Sequence, residues 1–279
     1  MIFFPTFNIR KSAYSFYEVI EKLGFYKYPW IKKLIFLPLY FSIKKHIEDP
    51  FFDLVRMHPI FFKGGNILDI GANIGYTSFL FSKAVQSEFK VFSFEPDLES
   101  FELLNHVINK NKLKDKVIPL QVAVGDIDGI VEFWHNPKHQ ADHKVITKLL
   151  KEELKASKSG IRNVPIISID SFITRNKIDE PIKFIKIDVQ GYELPVCLGM
   201  KNTLKKNPQA VIVLEYSPDE AAMLGFDQSK LLEFFKEMNY HIYLLHRKGI
   251  LEPLTESNIF EISIKRGFTD ILCSKEKIA

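Results

Sequence analysis

Short apolar runs alternate with amphipathic segments along most of the chain. A short apolar run bounded by turn residues is typical of a buried strand, whereas apolar residues spaced three and four apart indicate a helix. The helical spacing is clear for Leu98, Phe101, Leu104 and Ile108. The pattern predicts strands at 66–70, 91–94, 117–124, 130–134, 164–169, 182–187, 210–214, 241–245 and 268–274. It predicts helices at 49–63, 77–84, 98–110, 145–157, 171–176, 194–206 and 228–238.

Strands that alternate with helices predict an α/β fold with a largely parallel sheet. Five of the predicted strands end in or next to an acidic residue: Asp69, Glu95, Asp126, Asp188 and Glu215. The carboxyl ends of parallel strands share one edge of the sheet, where ligands of open α/β sheets bind. A buried carboxylate must be compensated by a partner, so a ligand site explains these acids more readily than stability does.

The turn after the first strand contains Gly71, Asn73 and Gly75 in a G-x-x-x-G arrangement. Nicotinamide-binding folds usually carry G-x-G-x-x-G, and the chain has no phosphate-binding P-loop motif. Asp69 would repel a pyrophosphate at this turn, but it suits a ligand with an ammonium group. The pattern therefore predicts S-adenosylmethionine as the cofactor, with Asp69 near its ammonium end and the two glycines and Asn73 beneath its methionine moiety.

Glu95 and Asp126 extend the predicted cofactor site. Glu95 follows the second strand, where a two-acceptor carboxylate matches the cis-diol of a ribose. Asp126 is placed to accept from the adenine amino group. It also lies in an ordinary turn sequence, 126–129, so a purely structural role remains open for it.

Five stretches resemble the FkbM family of class I S-adenosylmethionine-dependent methyltransferases. They are ILDIGANIGYTS (67–78), FSFEPD (92–97), VAVGDIDG (122–129), ISIDSF (167–172) and FIKIDVQGYE (184–193). The resemblance implies a Rossmann-like fold with a seven-stranded mixed sheet whose last strand is antiparallel. It also implies O-methylation of a hydroxyl on a sugar, a glycan or a natural-product scaffold. Gln190 departs from the family, in which an acid is common at this position.

The chemistry is predicted to depend on residues at the later strand ends. Asp188 and Glu193 are the candidate catalytic residues, because a carboxylate can take the proton of an attacking hydroxyl. Glu193 lies near the first turn of a helix, so it could instead accept from backbone N–H groups. His143 and Glu215 are candidate contacts for the methyl acceptor. His143 belongs to a histidine-rich stretch in a predicted insertion, residues 135–163, over the edge of the sheet.

The same histidine-rich stretch raises the question of a metal. His139 and His143 have the i, i+4 spacing at which a helix can share a metal between two imidazoles. Pro137 and the polar composition argue against a helix there, so we predict no metal site. A single histidine that acts as an acid or base is the preferred interpretation.

Residues 1–50 are predicted to form a separate helical, aromatic and basic segment before a methyltransferase domain at 51–279. Residues 1–65 hold 17 of the 37 aromatic residues and a net charge of +5. The apolar run at 34–43 is flanked by lysine pairs, but it is about half the length that a membrane-spanning helix needs. Two interpretations are open: peripheral membrane contact through residues 1–48, or a helical cap that packs its aromatics on the main domain.

Charge and cysteine content narrow the possible partners and location. The net charge of +4 falls to −1 for residues 66–279, which argues against a nucleic-acid footprint on that part. The two cysteines lack metal-type spacing, and residues 1–5 lack the features of a secretory signal, so a cytoplasmic location is expected. We expect a small-molecule or glycan acceptor. The alternatives are a non-catalytic binding or scaffold protein docked to a membrane, and methylation of a protein or nucleic acid. The oligomeric state is not predicted.

Overall fold

The predicted alternation of strands and helices is present in the computed structural model, which describes residues 32–45, 49–135, 143–153, 160–255, 257–259 and 267–278. The strands are β1 (Asn66–Ile70), β2 (Val91–Phe94), β3 (Val117–Leu120), β4 (Ala123–Val124), β5 (Gly129–Trp134), β6 (Lys144–Val145), β7 (Ile161–Ile167), β8 (Ile182–Ile187), β9 (Val211–Tyr216), β10 (His241–Leu245), β11 (Leu251–Pro253) and β12 (Thr269–Ser274). The α-helices are α1 (Leu37–Ile43), α2 (Phe51–Met57), α3 (Tyr76–Ala84), α4 (Leu98–Lys110), α5 (Lys148–Glu153), α6 (Ile169–Arg175), α7 (Glu193–Leu198), α8 (Lys201–Lys206), α9 (Pro218–Met223) and α10 (Ser229–Glu237). Short 3-10 turns occur at Pro59–Phe62 and Arg247–Gly249, and a π-helical turn, Lys32–Phe36, leads into α1.

Among the described residues, eight strands form the main sheet in the order β3-β2-β1-β8-β9-β12-β10-β11. Strands β3, β2, β1, β8 and β9 are parallel to one another, and β12 is antiparallel to both β9 and β10. The predicted mixed sheet with an antiparallel last strand is thereby confirmed. The short edge strand β11 is an addition that the sequence did not predict.

The central strands are mostly apolar because both faces of the sheet are covered. Successive side chains of a strand point to opposite faces. Ile67 of β1 and Phe184 of β8 accordingly belong to one buried cluster, whereas Leu68 and Ile185 belong to the other. The cores on both faces hold the carboxyl ends of β1 and β8 side by side.

The functional edge of the sheet follows from the strand order. The chain runs from β1 outward to β3 and then returns to β8 on the other side of β1. The order therefore reverses between β1 and β8, which creates a crevice at their carboxyl ends. The backbone N–H of Asp188 donates to the carbonyl of Ile70 at 3.1 Å, so the two strands remain paired up to this point.

Two predicted helices are interrupted. The helix predicted at 49–63 ends at Met57, because Pro59 lacks an N–H group and disfavours a helical conformation at His58 before it. The helix predicted at 194–206 is divided into α7 and α8 at Gly199 and Met200.

A second sheet accounts for the largest differences from the predicted elements. The strand predicted at 117–124 leaves the main sheet after Leu120, and β4 joins a four-stranded sheet in the order β4-β7-β5-β6 among the described residues. Part of the helix predicted at 145–157 is instead strand β6 followed by α5. Helix α6 begins two residues before its predicted start, and Ser168 caps it because its side chain accepts from the backbone N–H of Ser171. Residues 136–142 and 154–159 of the predicted insertion lie outside the described residues.

The described part of the N-terminal segment packs on the main domain. Leu37 is buried against Ile74, Leu103 and Val107. Leu34 and its neighbour Ile35 are exposed. Residues 1–31 and 46–48 lie outside the described residues, so membrane contact through 1–48 stays a prediction. No helix in the described part of the chain is both long and apolar enough to cross a bilayer.

Candidate active site

A cavity of about 520 Å³ opens at the carboxyl ends of β1 and β8, within the size range of small-molecule sites. The structure brings six of the predicted site residues to its wall: Gly71, Asn73, Glu95, His143, Asp188 and Glu215. The other four predicted residues are not among those that line it: Asp69, Gly75, Asp126 and Glu193. Six of the predicted residues are therefore in direct reach of a ligand, whereas the other four lie away from the cavity wall.

The glycine turn requires glycine for steric reasons. Gly71 has φ +75°, and a Cβ atom there would overlap the carbonyl oxygen of Asp188. Gly75 has φ +88° at the start of α3, and its Cβ would lie 2.7 Å from a methyl group of Leu104. These contacts explain both glycines of the motif without a ligand, and the one at Gly71 brings the backbone after β1 close to that after β8.

Asp69 lies beneath the turn rather than on the cavity wall. Its side chain is fully buried and accepts hydrogen bonds from Thr77 Oγ1 and Ser78 Oγ at 2.6–3.0 Å. Burial raises the pKa of Asp69, while Lys186 and the two hydroxyl groups oppose that rise. The structure thus gives Asp69 protein partners that tie β1 to α3. Its predicted contact with the ammonium group of the cofactor remains a prediction.

Lys186 is a cavity residue that the sequence did not single out. It lies on β8 with a buried ammonium group, which donates to the carbonyl of Gly71 at 2.6 Å. Nζ is 3.7 Å from Asp69 Oδ1 and 3.5 Å from Asp188 Oδ2. Burial would lower the pKa of Lys186, but the two carboxylates outweigh burial and raise it. The lysine therefore joins the buried acid of β1 to the acid at the cavity.

Glu95 has the geometry expected for a diol acceptor. One carboxylate oxygen accepts from the backbone N–H of Asn73 at 2.8 Å, and the other accepts from that of Asp97 at 2.8 Å. These two bonds fix the carboxylate against the glycine turn. A carboxylate has about four lone-pair positions, so each oxygen can still accept from a hydroxyl group.

Glu95→Ala is expected to weaken the binding of S-adenosylhomocysteine by about 2 kcal/mol, roughly 30-fold, because two hydrogen bonds to a carboxylate are lost. Calorimetry on the full chain measures this affinity. Glu102→Ala is the matched control, since Glu102 is an exposed acid on α4. An affinity that stays unchanged in Glu95→Ala would contradict the assignment of Glu95 to the ribose.

Glu95 is also expected to make stability fall as the pH rises from about 4.5 to about 8. Burial raises the pKa of Glu95 from its ordinary value of 4.5 to about 8. Over that range the folded protein holds a proton that the unfolded chain has released, so stability decreases with pH. Glu95→Gln cannot ionise. In thermal unfolding, the Tm of the variant minus that of the wild type should increase as the pH rises from about 4.5 to about 8. A Tm difference that stays constant over this range would contradict the raised pKa of Glu95.

The polar groups at the wall fit the predicted cofactor. Asn73 Oδ1 is buried and has no hydrogen-bond partner among the described residues, so it can accept from an ammonium group. Tyr76 Oη is a second buried atom without such a partner, and it can donate to a carboxylate. Glu95 supplies the acceptors for a diol, as described above. A ligand with an amino-acid end and a ribose would satisfy groups that are costly to leave unpaired.

Acidic side chains cluster on the cavity around Asp188. Asp49, Asp188, Glu215 and Asp270 all line it. Burial would raise the pKa of Asp188, but the ammonium groups of Lys186 and Lys44 hold it below its ordinary value. Burial raises the pKa of Asp49 to about 6 and that of Asp270 to about 7. The pKa of Glu215 is raised well above its usual range by burial and by the charge of Asp188. The cavity therefore combines the ionised carboxylate of Asp188 with three carboxyl groups whose pKa values are raised to different extents.

Glu193 supports the loop that carries Asp188. It is fully buried at the start of α7, and its Oε1 accepts from the backbone N–H groups of Val189 and Gly191 at 3.1 and 3.2 Å. These contacts match the capping alternative for this residue. A direct catalytic role for Glu193 stays a prediction.

Asp126 and His143 lie in different surroundings. Asp126 is exposed after β4, outside the residues that line the cavity, so its contact with adenine stays a prediction. His143 lies just before β6 and lines the cavity together with Phe133 and Val145. It belongs to the second sheet, which covers the crevice from outside the main sheet.

The N-terminal segment contributes a part of the wall that the sequence did not predict. Tyr40 and Lys44 of this segment line the cavity together with Asp49 and Phe51. Phe41 holds α1 in place through an edge-on contact with the Tyr76 ring at 5.4 Å. The predicted boundary at residue 50 therefore does not separate this segment from the site.

Comparisons with known proteins agree with this geometry. Residues 69–242, more than half of the chain, match the sequence model of the methyltransferase FkbM domain. Hexuronic acid methyltransferase AglP of Haloferax volcanii is 30% identical over 138 residues, which are 49% of this chain and 50% of that protein. A crystal structure of methyltransferase FkbM from Methylobacillus flagellatus superposes with a TM-score of 0.50 at 16% identity, covering 84% of this chain and 53% of that one. At this identity the superposition shows the fold alone, and it confirms the Rossmann-like class I methyltransferase fold.

Proposed function

The chain belongs to the FkbM methyltransferase family, and on that premise we propose that it methylates a hydroxyl group of a sugar, a glycan or a related small molecule. S-adenosylmethionine is the cofactor, and it supplies an electrophilic methyl group when it is bound. The observation that carries the proposal is the set of acidic side chains that lines the cavity around Asp188. Carboxylates and carboxylic acids are suited to hydroxyl groups, since they accept and donate hydrogen bonds in pairs.

Asp188 is the group that we assign to the proton of the acceptor hydroxyl. Its side chain is 43% exposed, at the carboxyl end of the central strand β8. Lys186 keeps it ionised, and the amide of Gln190 donates to its Oδ1 at 3.0 Å. Oδ2 faces the lysine at 3.5 Å, too far for a strong hydrogen bond. A fixed, ionised carboxylate at this position can take a proton as the hydroxyl attacks.

The neighbouring acids are assigned to the remaining hydroxyl groups of the acceptor. Asp49, Glu215 and Asp270 come from three separate segments, and their partial burial near Asp188 raises the pKa values of all three. A carboxyl group accepts hydrogen bonds when it is ionised, and it also donates one when it is protonated. Several such groups around Asp188 favour a polyhydroxylated acceptor that is held in one orientation.

The relative from Haloferax volcanii supports a sugar as the acceptor. Its name specifies a hexuronic acid, which is a polyhydroxylated molecule. The alignment spans only about half of each chain, so the acceptor of this chain is inferred from the cavity as well as from the name.

The test is methyl transfer by the purified full chain from isotope-labelled S-adenosylmethionine. The acceptor panel contains neutral hexosides, hexuronosides, phenolic natural products, a protein extract and RNA. We expect mass spectrometry to detect one added CH2 on a glycoside, and the label to resist mild alkali as a methyl ether does. Label on RNA or protein alone would overturn the proposal. Label that alkali removes would redirect it from a hydroxyl to a carboxyl acceptor.

The remaining alternative is a scaffold protein without catalytic activity, and binding of the cofactor without turnover would distinguish it from an enzyme. A scaffold protein that retains the fold would bind S-adenosylhomocysteine in calorimetry, yet it would label no member of the panel and no component of a host-cell extract. A folded protein that binds neither S-adenosylmethionine nor S-adenosylhomocysteine would contradict the assignment of the donor site itself.

A further inference from the structure

Three side chains with metal-ligating atoms converge at the side of the cavity. Asp97 follows β2, His135 follows β5, and His143 precedes β6. Their ligand atoms all lie within 4.8 Å of one another. Asp97 Oδ2 is 2.7 Å from His135 Nδ1, and Asp97 Oδ1 is 3.7 Å from His143 Nε2. The side chains are 1%, 12% and 7% exposed, respectively, so water has little access to the group.

These distances suit a shared ion. Metal bonds to imidazole nitrogen and carboxylate oxygen are about 2.0–2.2 Å long, which places neighbouring ligand atoms roughly 3 Å apart. The observed separations of 2.7 and 3.7 Å lie on either side of this value. The two imidazole rings are stacked with their centroids 4.6 Å apart. Ligation by both rings requires rotation about the Cβ–Cγ bonds, a soft torsion that leaves the backbone in place.

The surroundings of the group also match those of a metal site. A histidine ligand typically directs its second ring nitrogen to a carboxylate, which orients the ring. Glu99 Oε1 is the carboxylate on this side of His135, and it lies 3.8 Å from Nε2, within ion-pair distance but beyond that of a hydrogen bond. Asp97 Oδ1 accepts from the backbone N–H of Ser100 at 3.0 Å and thereby caps α4. The cap uses one lone pair of that oxygen, and the others remain available to a cation.

We propose that Asp97, His135 and His143 form a binding site for a divalent transition-metal ion such as Zn²⁺. Two neutral imidazoles and one carboxylate favour ions of intermediate softness over Mg²⁺ and Ca²⁺, which prefer oxygen ligands. Three protein ligands leave at least one coordination position open. The proposal is independent of the identity of the methyl acceptor.

The site would connect the second sheet to the segment that follows β2, which also carries Glu95. His135 and His143 delimit residues 136–142 in the sequence, and Asp97 stands two residues after Glu95. A metal ion would tie both ends of that segment to the carboxyl end of β2. Sequence spacing did not predict this group, because Asp97 lies 38 residues before His135. The sequence pattern pointed only to His139 and His143, and His139 lies outside the described residues.

The test uses the full chain after treatment with a chelator and dialysis. Calorimetric titration with Zn²⁺ is expected to show one ion bound per chain, and Co²⁺ should develop a visible absorption band. His135→Ala and His143→Ala should each weaken Zn²⁺ binding at least tenfold. Asp97→Asn should weaken it as well while it preserves the helix cap, because asparagine caps as well as aspartate does. His241→Ala is the control, since His241 is exposed on β10 at the far side of the sheet.

A measurement on the unaltered chain guards against variants that do not fold. Nitrogen-15 NMR of the imidazole rings should show that Zn²⁺ shifts the resonances of two of the eight histidines. Wild-type protein that is folded by circular dichroism and binds neither Zn²⁺ nor Co²⁺ would overturn the proposal. Zn²⁺ binding that both histidine substitutions leave unchanged would overturn it equally.

Discussion

Asp188→Asn is expected to lower kcat by about 10²–10⁴-fold, the usual contribution of a general base. Asparagine keeps an oxygen that can accept from the Gln190 amide, which donates to Asp188 at 3.0 Å, so the local geometry should persist. It cannot take a proton. The affinity for S-adenosylhomocysteine should change by less than about threefold, because the loss concerns a step of the reaction and not the binding of the cofactor product.

Steady-state kinetics with the acceptor found in the panel measures this effect, and calorimetry measures the cofactor affinity. Asp219→Asn is the matched control, since Asp219 is an exposed acid just beyond β9. If Asp188→Asn retained full kcat, the proton would have to pass to another acid of the cavity. Glu215→Gln and Asp270→Asn would then identify that acid.

Lys186→Met is expected to lower the free energy of unfolding by about 3–5 kcal/mol, the usual cost of removing one partner from a buried ion pair. Lys186 is 3% exposed and Asp69 is fully buried, with Nζ 3.7 Å from Asp69 Oδ1. Methionine preserves most of the volume. It leaves the carboxylate of Asp69 without its buried cation, although Thr77 and Ser78 still donate to it.

Urea unfolding of a double-mutant cycle isolates this interaction. Asp69→Asn removes the buried negative charge, so the double variant with Lys186→Met should be destabilised by less than the sum of the single changes. Lys183→Met, at a half-buried lysine on the same strand, is the control and should cost little. Strict additivity of the two single changes would show that the ion pair does not support β1 and β8.

The fold around the glycine turn could be predicted from the sequence because its signals are local. Burial on both faces makes β1 and β8 short, mostly apolar runs, and these stand out in the chain. Gly71 is required by a backbone contact with Asp188, so the same residue marks both the turn and the crevice. Glu95 is found from its place directly after β2, without knowledge of its partners.

Other residues of the cavity wall could not be predicted in the same way, because they come from distant segments that meet only in the folded chain. Asp49 precedes the sheet and Asp270 lies on its last strand, and neither belongs to a recognisable motif. Lys186 stands inside an apolar run, where its burial between two acids is not visible from spacing. Gly199 interrupts a predicted helix where the chain packs against the backbone of Gly125, a tertiary contact that periodicity does not reveal. The break at Pro59 has a local cause, because proline lacks the N–H group.

The described part of the N-terminal segment shapes the cavity without belonging to the sheet. Residues 37–45 and 49–51 lie outside the stretch matched to the family, yet they supply side chains to the cavity wall. They meet the domain through side-chain packing, in which Leu37 and Ile43 are buried, and they precede the strands that hold the glycine turn. Substitutions in these residues can therefore reshape the cavity wall while the glycine turn and the buried ion pair beneath it keep their contacts.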